Sequence, residues 1–404
     1  MNKNLIVKIC SIMLVLMMLL AVGGCGDGTS TSTSSNNSSN NSSTITDSSN
    51  DESSDDSTSS DAPSSDNNTT SSSSTENKVI TVTKDVEYDA EKNPLKRGIN
   101  FSLFEMHDNV GYDNWIFQAK YYDELREKGF DHVRLPVDFF DYTNLDDAPN
   151  YTINEEALRM IDTVINTCLS ADLKIVLDFH HFGVLQKEYT ANRGKYLKIW
   201  EQLSVHYQNY PSGLIFELFN EPGNPNTVKG APDPINPTRS MIIQDEAIKI
   251  IRKTNPTRLI VHATKLNNAI SMLNETTLPD DDNIIMSVHV YEPFTFTHQG
   301  TDWLSDEFSQ TRPYGEDVRS ELEAEFAKIA EYQEKTGRSV WIGEFGVTNK
   351  ATAEDRYKYG ELINELSKKY KVGWCWFEFS TGFGIYDLAK DTWTADGVVD
   401  ALTN

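Results

Sequence analysis

Short apolar runs and longer amphipathic stretches alternate along most of the chain. The short runs begin near Leu95, are rich in β-branched and aromatic residues, and predict buried strands. In the longer stretches, apolar residues recur every three or four positions, as on one face of a helix. The predicted strands are Arg97–Phe101, His132–Val137, Lys174–His180, Leu214–Asn220, Arg258–Ala263, Ile284–Tyr291, Ser339–Phe345 and Val372–Phe379.

The order of these elements predicts the fold class. Eight strands with helices between them indicate an α/β protein with a parallel sheet, and the strand count matches a single (β/α)8 barrel, or TIM barrel. A doubly wound open sheet is the alternative. No glycine-rich phosphate-binding sequence follows an early strand, so the nucleotide-binding forms of that alternative lose support. The predicted helices are Trp115–Lys128, Asn154–Ser170, Gly194–Gln208, Thr238–Lys253, Arg319–Lys335 and Ala353–Lys369.

The first 25 residues have the features of a lipoprotein-type signal peptide. Two lysines precede an apolar run from Ile9 to Val22, and small residues lead to Cys25. This ending resembles the bacterial lipobox, in which the cysteine is lipidated. Cys25 is therefore the predicted lipidation site, and the protein is expected outside the cell, tethered to the bacterial cell surface. Secretion without a lipid is the alternative, and the short apolar run disfavours a retained membrane anchor.

Residues 26–77 consist almost wholly of Ser, Thr, Asn and acidic residues and contain no Lys or Arg. Such a segment cannot bury a core, so it is predicted to be a disordered acidic spacer before a folded domain at 78–404. The whole chain has 61 acidic and 36 basic residues and a net charge of -25, which argues against nucleic acid and anionic membrane surfaces as partners. Membrane contact is expected only through the lipid.

Two glutamates at the ends of predicted strands are candidates for catalysis. Glu221 follows the fourth strand in Asn-Glu-Pro, and Glu344 lies in Gly-Glu-Phe-Gly on the seventh. In a barrel the chemistry lies at the carboxyl ends of the strands, so the two side chains would face one cavity. Cleavage of a glycosidic bond needs this arrangement, because one carboxyl group protonates the leaving oxygen while the other, ionised, attacks the anomeric carbon. A surface ion pair for each Glu is the alternative, which their combination disfavours.

Six short motifs occur in an order typical of one enzyme family. They are Arg97-Gly98-Ile99-Asn100, Val133-Arg134-Leu135-Pro136, His180-His181, Phe219-Asn220-Glu221-Pro222, His289-Val290-Tyr291 and Gly343-Glu344-Phe345-Gly346. With them the chain resembles glycoside hydrolase family 5, the cellulase family, from about Leu95 to Tyr386. The resemblance implies a retaining double displacement in which Glu221 is the acid/base and Glu344 the nucleophile.

The same resemblance implies a set of substrate-binding residues. Asn220 would donate to the sugar 2-hydroxyl, and Arg134 with Tyr291 would keep the nucleophile ionised. The family's platform tryptophan falls on Phe377, with Trp376 one residue earlier, so either ring remains a candidate for stacking on a sugar. The predicted set is Asn100, Arg134, His180, His181, Asn220, His289, Tyr291, Trp376 and Phe377.

Other titratable residues are predicted to take no direct part. His180 and His181 are successive strand residues that point to opposite faces, so they cannot readily share an ion; no metal or organic cofactor is predicted. Glu217 lies four residues before Glu221, on the same face, and is predicted to form a core ion pair deeper in the barrel. Glu221 must begin protonated, so its pKa is expected to be raised.

These features together predict a monomeric, retaining endo-β-1,4-glucanase that hydrolyses plant cell-wall polysaccharide. β-Mannanase, xyloglucanase and lichenase are the alternatives within the family. A non-catalytic, glycan-binding surface lipoprotein is the alternative from another class, and the paired glutamates disfavour it. A glycan groove needs aromatic rings at its rim, and candidates after the sixth strand are Phe294, Phe296 and Trp303.

Overall fold

The computed structural model describes residues 93–102, 118–301, 304, 308–394 and 396–404. The predicted signal peptide with Cys25, the spacer, Trp303 and the predicted start of the first helix at Trp115 lie outside these residues. None of the helices in the described part of the chain combines the length and the apolar character of a membrane span.

Eight parallel strands close into a barrel in the order in which they occur in the chain. The strands are β1 Arg97–Asn100, β2 His132–Val137, β3 Lys174–Phe179, β4 Leu214–Glu217, β5 Ile260–Ala263, β6 Ile284–His289, β7 Val340–Phe345 and β8 Gly373–Trp376. Pairing of β1 with β8, with Gly98 opposite Cys375, closes the ring. The predicted (β/α)8 barrel is confirmed, and the open-sheet alternative is wrong.

Helices form the outer layer of the barrel. They are α1 Lys120–Glu127, α2 Glu155–Ser170, α3 Gly183–Lys187, α4 Tyr189–His206, α5 Pro225–Val228, α6 Pro237–Ile251, α7 Phe294–Thr297, α8 Glu316–Thr336, α9 Ala353–Tyr370 and α10 Val398–Thr403, with a 3-10 helix at Ile270–Glu275. Side chains cap several of them: Asn154 accepts from two N–H groups at the start of α2, and Thr352 accepts from one at the start of α9. A two-stranded ribbon, β9 Tyr386–Asp387 and β10 Thr392–Trp393, follows β8.

The strand side chains divide into two buried sets. The set inside the barrel includes one residue from each of β3 to β8, namely Val176, Ile215, Val261, Ile285, Trp341 and Cys375. Many alternate residues belong to the larger core between the strands and the helices. On β8 this alternation directs Cys375 inward and turns Trp374 and Trp376 outward against the helices.

Two strands end three residues before the apolar runs do. β4 ends at Glu217 instead of Asn220, and β8 ends at Trp376 instead of Phe379. Beyond β4 the chain leaves the sheet, and Glu221 adopts the left-handed conformation with a φ of 44°. Most side chains past these strand ends are still buried, so the apolar pattern continues where the strand pairing does not.

Candidate active site

Three side chains meet at the carboxyl ends of β4, β6 and β7. Glu221 follows β4, His289 ends β6, and Glu344 lies near the end of β7. One nitrogen or oxygen atom of each lies within 4.8 Å of those of the other two. The two predicted catalytic carboxyl groups are therefore neighbours at the mouth of the barrel.

A register shift between β6 and β7 turns Glu344 toward this group. Val288 pairs with Ile342 and the next residue, His289, pairs with Glu344, so Gly343 is an extra residue in β7. A Cβ on Gly343 would lie 2.8 Å from Oγ of Ser287 and 3.4 Å from Nε2 of His289. The missing side chain lets the two strands approach closely where the catalytic candidates meet.

Two donors from other parts of the barrel hold Glu344. Nη1 of Arg134 on β2 donates to Oε1 at 2.6 Å, and the hydroxyl of Tyr291 donates to Oε2 at 3.0 Å. Only 8% of the Glu344 side chain is exposed. A cation and a hydroxyl on the two oxygens stabilise the carboxylate as an anion and fix its orientation.

Arg134 connects the Glu344 carboxylate to the barrel interior. Its guanidinium is fully buried; Nε donates to Glu217 at 2.7 Å, and Nη2 lies 2.9 Å from Asp178. It also donates to the side-chain oxygens of Asn100 at 2.9 Å and Asn220 at 2.8 Å. Burial lowers the pKa of Arg134, but the surrounding carboxylates outweigh this effect and hold the pKa well above its usual range.

Glu217 belongs to a group with more carboxylates than cations, because Asp178, Glu217 and Glu344 all contact the single guanidinium of Arg134. Burial raises the pKa of Glu217 to about 7; Arg134 opposes this shift and Asp178 adds to it. The predicted core ion pair of Glu217 is confirmed. Glu217 is nonetheless linked to the candidate nucleophile more directly than the sequence suggests, because Arg134 contacts both Glu217 and Glu344.

A different set of contacts holds Glu221. Nδ1 of His289 lies 2.9 Å from Oε1, and Nδ2 of Asn224 donates to Oε2 at 2.9 Å. The backbone N–H of Glu221 donates to Oδ1 of Asn268, also at 2.9 Å. With 22% of its side chain exposed against 8% for Glu344, Glu221 is the more accessible of the two carboxyl groups.

The pKa of Glu221 is lowered, so the expectation of a raised pKa is wrong. Burial raises it, but the hydrogen bond and the charge of His289 outweigh burial and bring the pKa to about 2. The expectation fails because the nearest partner of Glu221 is an imidazole and not the Glu344 carboxylate. The lowered pKa favours the ionised form of Glu221, whose Oε1 lies against Nδ1 of His289.

The family model for cellulase, glycosyl hydrolase family 5, matches residues 88–382, a range that contains both glutamates. The chain belongs to glycosyl hydrolase family 5. Cellodextrinase A of Ruminococcus flavefaciens is 30% identical over 281 residues, which cover 66% of this chain and 78% of that protein. Endoglucanase C of Acetivibrio thermocellus is 27% identical over 334 residues, or 72% of this chain and 94% of the relative. As a family 5 member, the chain is an O-glycosyl hydrolase.

Solved structures show the same architecture. The cellulose synthase subunit Z of Clostridioides difficile has 34% identity and a TM-score of 0.68, and the match covers 77% of this chain and 100% of that one. The endoglucanase Cel5A of Thermotoga maritima, in a complex with mannotriose, has 30% identity and a TM-score of 0.69, covering 77% of this chain and 99% of that one.

Three predicted substrate-binding residues of this family 5 chain have no surface that a sugar could touch. Asn100 and Arg134 are fully buried; Nδ2 of Asn100 donates to the carbonyl of Gly343 at 3.0 Å, and its Oδ1 accepts from Arg134. Trp376 is also fully buried, since it faces the helices, and its indole N–H donates to a backbone carbonyl. Direct sugar contact is therefore the wrong prediction for all three, whereas the expected pairing of Arg134 with Glu344 is present. Asn100 and Arg134 instead lie beneath Glu344 and orient it.

Other predicted residues line the edge of the site. Tyr291 and His181 are partly exposed, and His289 is 8% exposed. His180 is 2% exposed; its Nδ1 lies 2.5 Å from Asp178, and its Nε2 lies 3.5 Å from Nδ2 of Asn220. These residues remain candidates for substrate contact, with Asn220 held from below by Arg134.

The aromatic candidates separate by exposure. Phe377 is partly exposed, and its N–H donates to the carbonyl of Phe345 at 2.7 Å, which places it beside the end of β7. Phe294 is 43% exposed and stacks on His298 with ring centroids 3.8 Å apart. Phe296 is fully buried, so its prediction as a rim residue is wrong. Among the predicted rings in the described part of the chain, Phe377 and Phe294 have exposed surface available to a glycan.

Two asparagines at the site were outside the predicted set. Asn224 caps the short helix α5 and donates to Glu221, and its position three residues after that glutamate is the only sequence signal for it. Asn268 is fully buried in the loop after β5, and both Asn267 and Asn268 have left-handed backbones, at φ 53° and 49°. An adjacent pair of asparagines is typical of such loops, but does not show which loop the pair touches.

The close spacing of Glu221, His289 and Glu344 would also suit a cation. All four carboxylate oxygens nevertheless have a protein partner at hydrogen-bond distance, from Arg134, Tyr291, His289 or Asn224. Because one of these donors is itself a cation, the surroundings fit acid–base and nucleophilic chemistry better than metal coordination.

Proposed function

We propose that the chain is a retaining endo-β-1,4-glucanase. The observation that carries this proposal is the separation of the two carboxyl groups, which have oxygens within 4.8 Å of each other. Retaining enzymes hold these groups about 5 to 5.5 Å apart, whereas inverting enzymes leave about 6.5 to 9.5 Å for a water molecule. The separation supports direct attack by a carboxylate.

In the first step, an oxygen of Glu344 attacks the anomeric carbon while the bond to the leaving sugar breaks. The bonding electrons pass to the leaving oxygen, which takes a proton from Glu221; the 2.9 Å contact with His289 can supply that proton. In the second step, water attacks the glycosyl-enzyme, Glu221 accepts a water proton, and Glu344 leaves as a carboxylate. Arg134 and Tyr291 stabilise that carboxylate before and after the cycle.

Asn220 is the proposed donor to the sugar 2-hydroxyl. Its Oδ1 accepts from Nη2 of Arg134 at 2.8 Å, so Nδ2, which lies 3.5 Å from Nε2 of His180, is the end of the amide that donates. A hydrogen bond to the 2-hydroxyl strengthens as the oxocarbenium-like transition state forms, so this contact favours turnover over ground-state binding.

The substrate is proposed from the named relatives. Endoglucanase C and cellodextrinase A support a β-1,4-glucan. The Thermotoga maritima Cel5A has been seen with both mannotriose and cellobiose, which makes β-mannan the second candidate for this chain. Phe377 occupies the place of the family's platform tryptophan. Its smaller ring offers a sugar less stacking surface, so the sugar at this position is expected to be held less tightly, whether it belongs to a glucan or a mannan.

The proposed location is the outer cell surface, through a lipid on Cys25 and the spacer at 26–77. Plant polysaccharide is one source of substrate. The likeness to a cellulose synthase subunit suggests a second source, which is cellulose made at the same cell surface. Labelled palmitate should enter the protein and be absent from a Cys25→Ser variant. An unlabelled wild-type protein released into the medium would contradict the tether.

The mechanism and the substrate can be tested together. Proton NMR during hydrolysis of cellopentaose should show the β-anomer first, and early appearance of the α-anomer would establish inversion instead. Product profiles on carboxymethylcellulose, mannan, xyloglucan and lichenan should show a rapid fall in viscosity on the glucans. Greater turnover on mannan would replace glucan as the assigned substrate.

A further inference from the structure

We propose that Asn268 is a positioning residue that holds Glu221 and His289 at the distance required for acid–base catalysis. The proposal rests on the role given above to Glu221. Asn268 lies in the loop after β5 and is fully buried beneath the two residues that it is proposed to position.

The first contact is with Glu221. The backbone of Glu221 is left-handed, with a φ of 44°, a conformation that a glutamate rarely adopts without support. Its N–H donates to Oδ1 of Asn268 at 2.9 Å, and the N–H of Asn267 donates to the carbonyl of Pro222 at 2.8 Å. The loop after β5 thus holds the chain on both sides of the Glu221–Pro222 peptide.

The second contact is with β6. The carbonyl of Asn268 accepts the backbone N–H of His289 at 2.9 Å. Its Nδ2 lies within hydrogen-bond distance of Ser287, 3.1 Å from Oγ and 3.3 Å from the backbone oxygen. One residue therefore bonds the backbone N–H groups of both members of the Glu221–His289 pair.

This arrangement fixes the distance over which a proton must move. A hydrogen bond weakens steeply with distance and misalignment, and a displacement of about 1 Å at a reacting group can cost about a hundredfold in rate. The hydrogen bonds of Glu344 come from Arg134 and Tyr291 and do not include Asn268; its one shared partner is the imidazole of His289, 3.6 Å away. Loss of the Asn268 side chain should therefore impair proton transfer and spare nucleophilic attack.

Asparagine suits this position for two reasons. It tolerates the φ of 49° better than most residues, and its amide supplies an acceptor for Glu221 and a donor for Ser287 at once. Asn267 provides a matched comparison, because it is the same residue type in the same backbone conformation, at φ 53°, and its Oδ1 has no hydrogen-bond partner in the described part of the chain.

The test compares Asn268→Gly with Asn267→Gly. Glycine accepts the left-handed backbone, so each variant removes a side chain without adding strain. The substrates are 2,4-dinitrophenyl cellobioside, whose leaving group needs no proton, and cellopentaose, whose leaving group does. Asn268→Gly should lower kcat/KM on cellopentaose about a hundredfold and change it less than threefold on the dinitrophenyl substrate. Asn267→Gly should leave both values unchanged.

The second step gives an independent readout. With the dinitrophenyl substrate, kcat of Asn268→Gly should fall because base-assisted hydrolysis of the glycosyl-enzyme is impaired, and azide should restore it by replacing water. Equal losses on the two substrates would assign Asn268 a general structural role, and no loss on either would remove the proposal.

Two further variants keep the outcomes separate. If Asn268→Gly does not fold, Asn268→Asp retains the acceptor for Glu221 and loses the donor to Ser287. The proposal then predicts that Asn268→Asp has wild-type kcat/KM values on both substrates. A loss confined to cellopentaose would show that the contact with Ser287, and not the contact with Glu221, is responsible. Glu221→Ala tests the acid/base role of Glu221, on which the proposal rests. If that variant shows no leaving-group dependence, the role of Glu221 fails independently of Asn268.

Discussion

The two carboxyl groups that are proposed to be catalytic are held in contrasting ways. Glu344 lies on a strand and is fixed from below by Arg134, a buried side chain that also contacts residues of β1, β3 and β4. Glu221 lies on a loop, and its contacts come from His289, from Asn224 on the same loop and from Asn268 on the loop after β5. The side of the proposed nucleophile is built mainly from residues inside the barrel, and the side of the proposed acid mainly from the loops above it.

This difference matches what each group must do. A nucleophile must keep one charge and one direction, which a desolvated network of charged hydrogen bonds provides. An acid/base must gain and lose a proton in each cycle, so it needs a partner such as His289 and access to the leaving group and to water. The greater exposure of Glu221 and its single imidazole contact suit this exchange.

The largest expected effect separates the two sides directly. Glu344→Gln should lower turnover at least about 10⁴-fold on every substrate, because the variant lacks the carboxylate proposed to attack the anomeric carbon. Glu221→Ala should lose about 10² to 10⁴-fold on cellopentaose, yet keep most of its kcat/KM on 2,4-dinitrophenyl cellobioside. Rates on both substrates, with thermal melts to verify folding, make the measurement. Equal sensitivity of the two variants to the leaving group would show that the roles are not divided in this way.

The residues around the proposed nucleophile are also the ones whose positions the sequence predicts well. Strand alternation places Arg134 and Glu217 inside the barrel, and the count of strands gives the fold. The same alternation shows that Trp376 must face the helices, because Cys375 points inward. The sequence alone leaves both Trp376 and Phe377 as candidates, because it does not show which residue of β8 is the last to face inward.

The acid side resists prediction because loop conformation decides it. The left-handed backbone of Glu221 and the contact with Asn268 depend on how two loops meet, which no local pattern encodes. The register shift at Gly343 is likewise not encoded in a local pattern. Strict alternation from Trp341 would turn Glu344 outward, away from the barrel interior. The lowered pKa of Glu221 follows from the position of His289 beside it, and no local sequence pattern encodes that contact.

The next effect tests whether the buried network really fixes the nucleophile. Arg134→Met should destabilise the fold by about 3 to 5 kcal/mol, because it leaves buried carboxylates without their cation. It should also lower turnover of the folded fraction by about 10³-fold, since Glu344 loses its strongest donor. Urea denaturation and rates at low temperature measure the two effects separately.

Arg356→Met is the matched control for that variant. Arg356 is 2% exposed, ion-pairs with Asp396 at 2.6 Å and donates to the carbonyl of Gly384 at 2.8 Å. It should lose stability while the folded fraction keeps its turnover. If Arg134→Met behaves like Arg356→Met, the network stabilises the barrel without positioning Glu344, and the contrast between the two sides fails on that point.

The smallest effect concerns Glu217, whose pKa of about 7 lies above the ordinary value of 4.5. Between these values the unfolded chain ionises Glu217 while the folded barrel keeps it protonated, so unfolding releases a proton. This part of the stability is complete below about pH 4.5, declines as the pH rises, and is lost above about pH 7, for a total of about 3 kcal/mol.

Glu217→Gln should remove that decline, because glutamine resembles the protonated acid and cannot ionise. The free energy of unfolding, measured in urea from pH 4.5 to 8, should fall less with pH than in the wild type, and Glu334→Gln on the exposed face of α8 should leave the wild-type slope. Turnover of Glu217→Gln should stay within about tenfold of the wild type, since Arg134 retains Asp178 and Glu344 as partners. A stably folded but inactive variant would show instead that an ionised Glu217 is needed to hold Arg134 against the nucleophile.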